Sequence, residues 1–74
     1  MKVIIKNIDK TVLNTIDQIA SDMNMESWIE GISGNDIILN DAWLDIIHEH
    51  VYINIDDETH ILLFPNSYEE IVIR

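Results

Sequence analysis

The chain has no cysteine, one proline, two glycines and only four basic residues among its 74. Without cysteine it can form no disulfide staple, thiolate metal site or thiol nucleophile. Gly31 and Gly34 are the only glycines, so no glycine-rich loop exists to cradle a phosphate. Long hydrophobic runs are also missing. The longest, Ile61 to Phe64, is four residues, against about 20 for a membrane-spanning helix. The opening MKVIIKNIDK has neither a sustained apolar stretch nor a small-residue cleavage site, so the expected location is the cytoplasm, with no membrane partner. What the chain does have is 47% apolar residues, too many for a disordered polypeptide. A domain this short buries only about 60% of the surface its unfolded chain exposes. With no staples, association into a homodimer is one expected way to complete its core.

Charge is the strongest compositional feature. Fourteen acids against four bases give a formal net charge of -10. Residues 1–34 hold five acids and three lysines, whereas residues 35–74 hold nine acids and Arg74 alone. The acidity therefore belongs to the C-terminal half. Such a surface opposes direct contact with nucleic acid and attracts basic partners.

Periodicity predicts a single α+β domain over residues 1–74, in the order β-α-α-(β)-α-β-β-(β). Val3-Ile4-Ile5 reads as a short strand from its β-branched content. Asp9 suits a helix N-cap, and Val12, Ile16, Ile19, Ala20 and Met23 recur at helical spacing, which predicts an amphipathic helix over roughly 10–24 with Asn24 as its stop. Ser27-Trp28-Ile29-Glu30 has capping-box form and predicts a second helix to about Ser33, ended by Gly34-Asn35. These elements make a βαα unit over 1–34. In the acidic half, 35–74, Asp36 to Leu39 suits a strand. Asn40 is placed to cap a third helix from Asp41 to about Glu49, with Leu44, Ile47 and Val51 on one side. The alternation Val51, Ile53, Ile55 and the run His60 to Phe64 predict an antiparallel hairpin at about 50–64, with His60 opposite Ile55. Ile71 to Ile73 reads as a last strand, the alternative being the end of a short helix capped by Ser67.

The stretch KVIIKNIDKTVLNTIDQIASDMNM resembles the ribbon-helix-helix family of small bacterial and phage repressors and antitoxins. The resemblance covers under half of the chain and rests mainly on hydrophobic spacing. It implies that the strands of two chains pair into a ribbon. Val3 and Ile5 would face the core, and Lys2, Ile4 and Lys6 would face a DNA major groove.

Candidates for chemistry are few. His48 and His50 would share a face on a strand and diverge at a helix end, and no third metal ligand presents itself. Asp56-Asp57-Glu58 lacks the glycine and regular acid spacing of a calcium loop. Serines occur without a nucleophile elbow. No cofactor, no metal and no enzymatic activity are expected. The acids themselves offer more. In the expected third helix Asp41, Asp45 and Glu49 fall at i, i+4, i+8, one uncompensated face with neighbours about 5–6 Å apart. With Asp56, Asp57 and Glu58, which complete the expected partner-binding set, and with the Glu69-Glu70 pair, they would make a chain of carboxylates that imitates spaced phosphates. By size, charge and composition the chain is similar in type to phage-encoded anti-restriction and anti-CRISPR inhibitors. The expected function is that of a DNA mimic occluding the site of a basic nucleic-acid-binding protein, with a ribbon-helix-helix regulator or antitoxin as the alternative. Trp28 and Trp43 each suit either a core position or an interface anchor.

Overall fold

β-Branched residues dominate the framework of the computed structural model, which describes residues 2–74. Its elements are β1 (Val3–Lys6), α1 (Lys10–Asp22), β2 (Ile29–Ser33), β3 (Asp36–Leu39), β4 (Trp43–Ile47), β5 (His50–Asn54), β6 (His60–Leu63) and β7 (Glu70–Ile73). One antiparallel sheet has the order β2-β3-β1-β7, the other β4-β5-β6. This is a mainly-β fold with a single α-helix among the described residues, which corrects the expected α+β order with three helices.

The helix that does form is specified at both ends. Asp9 accepts hydrogen bonds from the Thr11 and Val12 amides at 2.9 and 3.4 Å, satisfying donors that lack intrahelical partners. Leu13, Ile16 and Ala20 are buried, with Val12 and Ile19 packed at the margin. At the far end Asn24 takes a left-handed conformation at φ 54°. The Met25 amide reaches the Ala20 carbonyl at 2.7 Å and the Asn24 amide reaches Ser21 at 3.1 Å. That is a Schellman stop, with Asn in the place usually taken by glycine.

The expected second helix is a single 3-10 turn, Glu26–Trp28, followed by β2. The segment from the capping box to Gly34 is short, and it includes Gly31 and the β-branched Ile29 and Ile32, which hold a helix poorly. Gly34 at φ 61° and Asn35 instead close a two-residue hairpin between β2 and β3, with Ser33 opposite Asp36.

The expected third helix is also a strand. Leu44, Ile47 and Val51 match a helical face, but Leu44 and Ile46 match a strand's alternation equally well, and β5 stands ready to pair. Trp43 lies opposite Asn54 and Ile47 opposite His50. Asn40 does not cap a helix. Its amide donates to the Trp28 carbonyl at 2.7 Å, tying this chain segment back to the start of β2. Residues 50–64 fold as the β5–β6 hairpin, with a register that sets His60 opposite Asn54 rather than Ile55.

β1 lies inside its sheet. Val3 and Ile5 are fully buried, paired on one side with Leu39 and Ile37 and on the other with Ile73 and Ile71. Both edges of β1 are thus used within the chain, which leaves no free edge for a two-chain ribbon. The buried faces of the two sheets and of α1 share one cluster, including Val3, Ile5, Ile16, Leu39, Ile53 and Leu63. Burying each such side chain contributes about 1.5–3 kcal/mol.

Candidate surface for partner binding

Alternation along β4, β5 and β6 divides the three-stranded sheet into two faces. Leu44, Ile53 and Ile61 turn toward the core, and the opposite face carries Trp43, Asp45 and Ile47 on β4, His50, Tyr52 and Asn54 on β5, and Leu62 on β6. Cross-strand rows follow from the register: Trp43, Asn54 and His60 in one, Asp45, Tyr52 and Leu62 in the next. Asp45, Ile47, Tyr52, Asn54 and His60 line an open depression of about 270 Å³.

Hydrogen bonding fixes the floor of this depression. The Asn54 side chain is buried, and its amide donates to Asp45 Oδ2 at 2.9 Å and to the Trp43 carbonyl at 3.5 Å. A carboxylate has about four acceptor sites, so Asp45 is oriented by Asn54 while keeping capacity for an incoming guanidinium or ammonium. Tyr52 and His60 stack edge to face with centroids 5.9 Å apart. Exposed apolar side chains adjoin the face. Trp43 is 36% exposed, Ile47 53% and Phe64 61%, while Ile46, 72% exposed, projects on the other side of β4 with Leu44. Ile46 and Ile47 precede the β4–β5 turn, whose two residues, His48 and Glu49, both have positive φ.

The six predicted acids all belong to this sheet and its connections, but they do not form a helical stripe. Asp41 sits before β4 at φ 55°, Asp45 lies mid-strand, Glu49 is in the β4–β5 turn, and Asp56, Asp57 and Glu58 are in the β5–β6 loop. The two turns lie at opposite ends of β5, roughly 16 Å apart at about 3.3 Å per residue. The acids therefore flank the sheet at both ends, with Asp45 between. Asp56 organises its loop: Oδ1 accepts from the Glu58 and Thr59 amides at 2.9 and 2.7 Å. Those backbone donors hold its carboxyl below the usual carboxylate range.

The rest of the chain's acids are mostly engaged locally. Asp9 caps α1, Asp22 accepts from Gln18, Glu30 pairs with Lys2 at 2.6 Å, and Asp36 and Glu69 both accept from Asn7. By contrast Asp41, Glu49, Asp57 and Glu58 accept no side-chain hydrogen bond among the described residues. No lysine or arginine occurs between Thr11 and Ile73.

Lys2, Ile4 and Lys6 fall on the other sheet, on the face away from the core. Lys2 is paired with Glu30, Lys6 lies opposite Glu70, and Ile4 is half-buried between Ile38 and Val72. His50 Nδ1 lies 3.0 Å from the His48 carbonyl, and among the described residues no three His, Asp or Glu side chains converge to hold a metal ion. No helix among them is long and apolar enough to cross a membrane. The two tryptophans take different roles, Trp28 being 4% exposed in the core and Trp43 on the open face.

Sequence reading left Trp43 open between core and interface, and missed Tyr52, Asn54, Ile46, Ile47 and Phe64 as surface components. The signal for Tyr52 and Asn54 was present: they are the alternate positions to Val51, Ile53 and Ile55. Trp43 and Asp45 could be placed beside them only once β4 was a strand. No protein-family model, curated protein or solved structure matches this chain.

Proposed function

We propose that the chain is an acidic protein-binding antagonist that acts in the cytoplasm and occludes the nucleic-acid-binding site of a basic protein. One observation carries this reading. Six acids with no lysine or arginine in their sheet flank an open face of Trp43, Tyr52 and Ile47, with the exposed Phe64 just past β6. Exposed aromatic and aliphatic side chains supply the contact area that anchors an interface. The charge at both ends raises the encounter rate with a positive partner and sets its orientation. Asp45, oriented by Asn54, is placed to meet a lysine or arginine at the centre.

Three separated groups of acids are too few to reproduce a continuous phosphate track. The proposed mechanism is therefore steric cover guided by charge. In type it stays similar to phage-encoded anti-restriction and anti-CRISPR inhibitors. Binding carries the function, with no catalytic step and no cofactor.

The test is capture from a nuclease-treated lysate by the wild type, Asp45→Lys and Trp43→Ala, followed by competition with the captured protein's own nucleic acid. Wild type should displace the nucleic acid, less effectively as salt rises, and both variants should lose displacement by at least about tenfold. A captured protein that keeps its nucleic acid in the presence of wild type would overturn the reading, as would capture insensitive to both substitutions.

A further inference from the structure

Four strands have an open edge, β2 and β7 in the larger sheet and β4 and β6 in the smaller. Three of them carry a device that blocks pairing with another chain. β2 has a register shift between Ile29 and Gly31. β6 leads into Phe64 and Pro65, and the Phe64 carbonyl just past the strand is already taken by the Ser67 amide and hydroxyl at 2.9 and 2.6 Å. On β4, Ile47 and His50 flank a two-residue turn and so form a hydrogen-bonded pair, which leaves Leu44 and Ile46 with amides facing outward. Pairing those groups between two copies would set Asp45 directly against Asp45 of the second copy.

β7 has no such device. Lys2 and Arg74 exchange both backbone hydrogen bonds, at 2.7 and 2.8 Å. By the alternation of antiparallel ladders Val72 also bonds toward β1, and Ile71 and Ile73 direct their amides and carbonyls away from the sheet. Ile73 is also 50% exposed.

We propose that two copies of the chain pair antiparallel through β7, about a two-fold axis at Val72, to form one continuous eight-stranded sheet. Two separate arguments select this register. Only when Ile71 lies opposite Ile73 of the second copy are both residues' outward groups paired within the strands. The same register sets Glu70 opposite Arg74 of the second copy, twice by symmetry, which is charge-complementary. A shift of two residues loses both features, bringing Glu70 opposite Val72. Three of the chain's four basic residues, Lys2, Lys6 and Arg74, lie at this part of the sheet. The edge is thus locally compensated on a chain of net charge -10. The half-buried row Ile38, Ile4, Val72 would join its symmetry mate into one apolar band. The pairing leaves the acidic sheet free on each copy and does not rest on the antagonist reading.

Sedimentation equilibrium of the full chain and a cross-linking variant test it. The wild type should reach dimer mass with rising concentration. In Val72→Cys the new thiols occupy a non-hydrogen-bonded pair with Cα atoms about 4.5 Å apart, within disulfide range. With no other cysteine in the chain, mild oxidation should give a covalent dimer, and Thr15→Cys on α1 should not. Arg74→Glu should weaken dimerisation at least about tenfold, and Glu70→Arg with Arg74→Glu should recover most of that loss. Ile73→Pro removes an amide that faces away from β1, so the variant should fold yet remain monomeric. Circular dichroism confirms folding of each variant. A monomer at every concentration overturns the proposal. So does a dimer indifferent to Ile73→Pro, or one whose Val72→Cys form does not cross-link.

Discussion

The β4–β5 turn is where the fold is held against local preference. His48 and Glu49 have φ of 51° and 67°, the sign pattern of a type I′ turn, which favours Asn-Gly. A side chain in the left-handed region costs roughly 1–2 kcal/mol through crowding of Cβ against the carbonyl oxygen. His is among the residues that tolerate the region better, so Glu49 carries more of the cost. Glu49→Gly removes the crowding but returns about 0.4–1 kcal/mol as conformational freedom of the unfolded chain. His48→Asn contributes a few tenths more. The double substitution His48→Asn/Glu49→Gly should therefore stabilise the chain by about 1 kcal/mol. For a domain of this length that is a rise in Tm of roughly 4–8 °C.

Thermal unfolding followed by circular dichroism, with urea titration at fixed temperature, measures the gain. Glu49→Gln separates the loss of charge from the relief of backbone strain and should shift Tm little. His50→Gly, one residue beyond the turn and within β5, should instead destabilise. An Asn-Gly variant no more stable than wild type would refute the assignment of strain to this turn. A Gln variant that matched the Asn-Gly gain would assign the effect to charge.

Three further outcomes follow from particular contacts. Asp56 titrates below its unfolded value because the Glu58 and Thr59 amides favour its charged form. Its contribution is therefore present above the unfolded pKa of about 3.9 and is lost as pH falls through the lowered folded value. Urea midpoints of wild type should fall more steeply below about pH 4 than those of Asp56→Asn. Asp9→Ala removes the N-cap bonds of α1 and should cost about 1 kcal/mol, read by urea unfolding, whereas Asp9→Ser should recover most of it. Trp28 is buried and Trp43 is on the open face, so acrylamide should quench the two unequally. Trp43→Phe should leave emission that is blue-shifted and protected, while Trp28→Phe should leave accessible emission that responds to a bound partner.

Legibility in the sequence followed how local each determinant is. α1 carries its own instructions: an N-cap at Asp9, an apolar face and an Asn24 stop, all within a few residues of one another. β4 carries none of that kind. Leu44, Asp45 and Ile46 satisfy a helical and an extended pattern alike, and the choice is made by Val51 to Asn54 pairing alongside. Nor could composition reveal that β1 would be enclosed on both sides, because its partners β3 and β7 come from distant segments. The ribbon-helix-helix pattern is a local pattern of spacing, and it fails where the long-range pairing begins. The acidic C-terminal half was legible as charge, whereas its geometry depended on β4 being a strand.

Asp45 joins the two surfaces in one argument. Its carboxylate takes the Asn54 amide within the open face, and its position at the centre of β4 places like charges together when that edge meets its own copy with Leu44 opposite Ile46. Electrostatic cost thereby steers self-association away from the acidic sheet and leaves β7 as the available edge. Asp45→Thr tests this coupling, since threonine keeps strand propensity and removes the charge. It should expose β4, with its neighbours Ile46 and Ile47, to strand-to-strand pairing. The expected result is concentration-dependent assembly beyond the dimer, seen by light scattering, and suppressed in Asp45→Lys, whose like charges oppose each other in the same register. An Asp45→Thr chain no more prone to assembly than wild type would show that the β4 edge is protected by something other than this carboxylate.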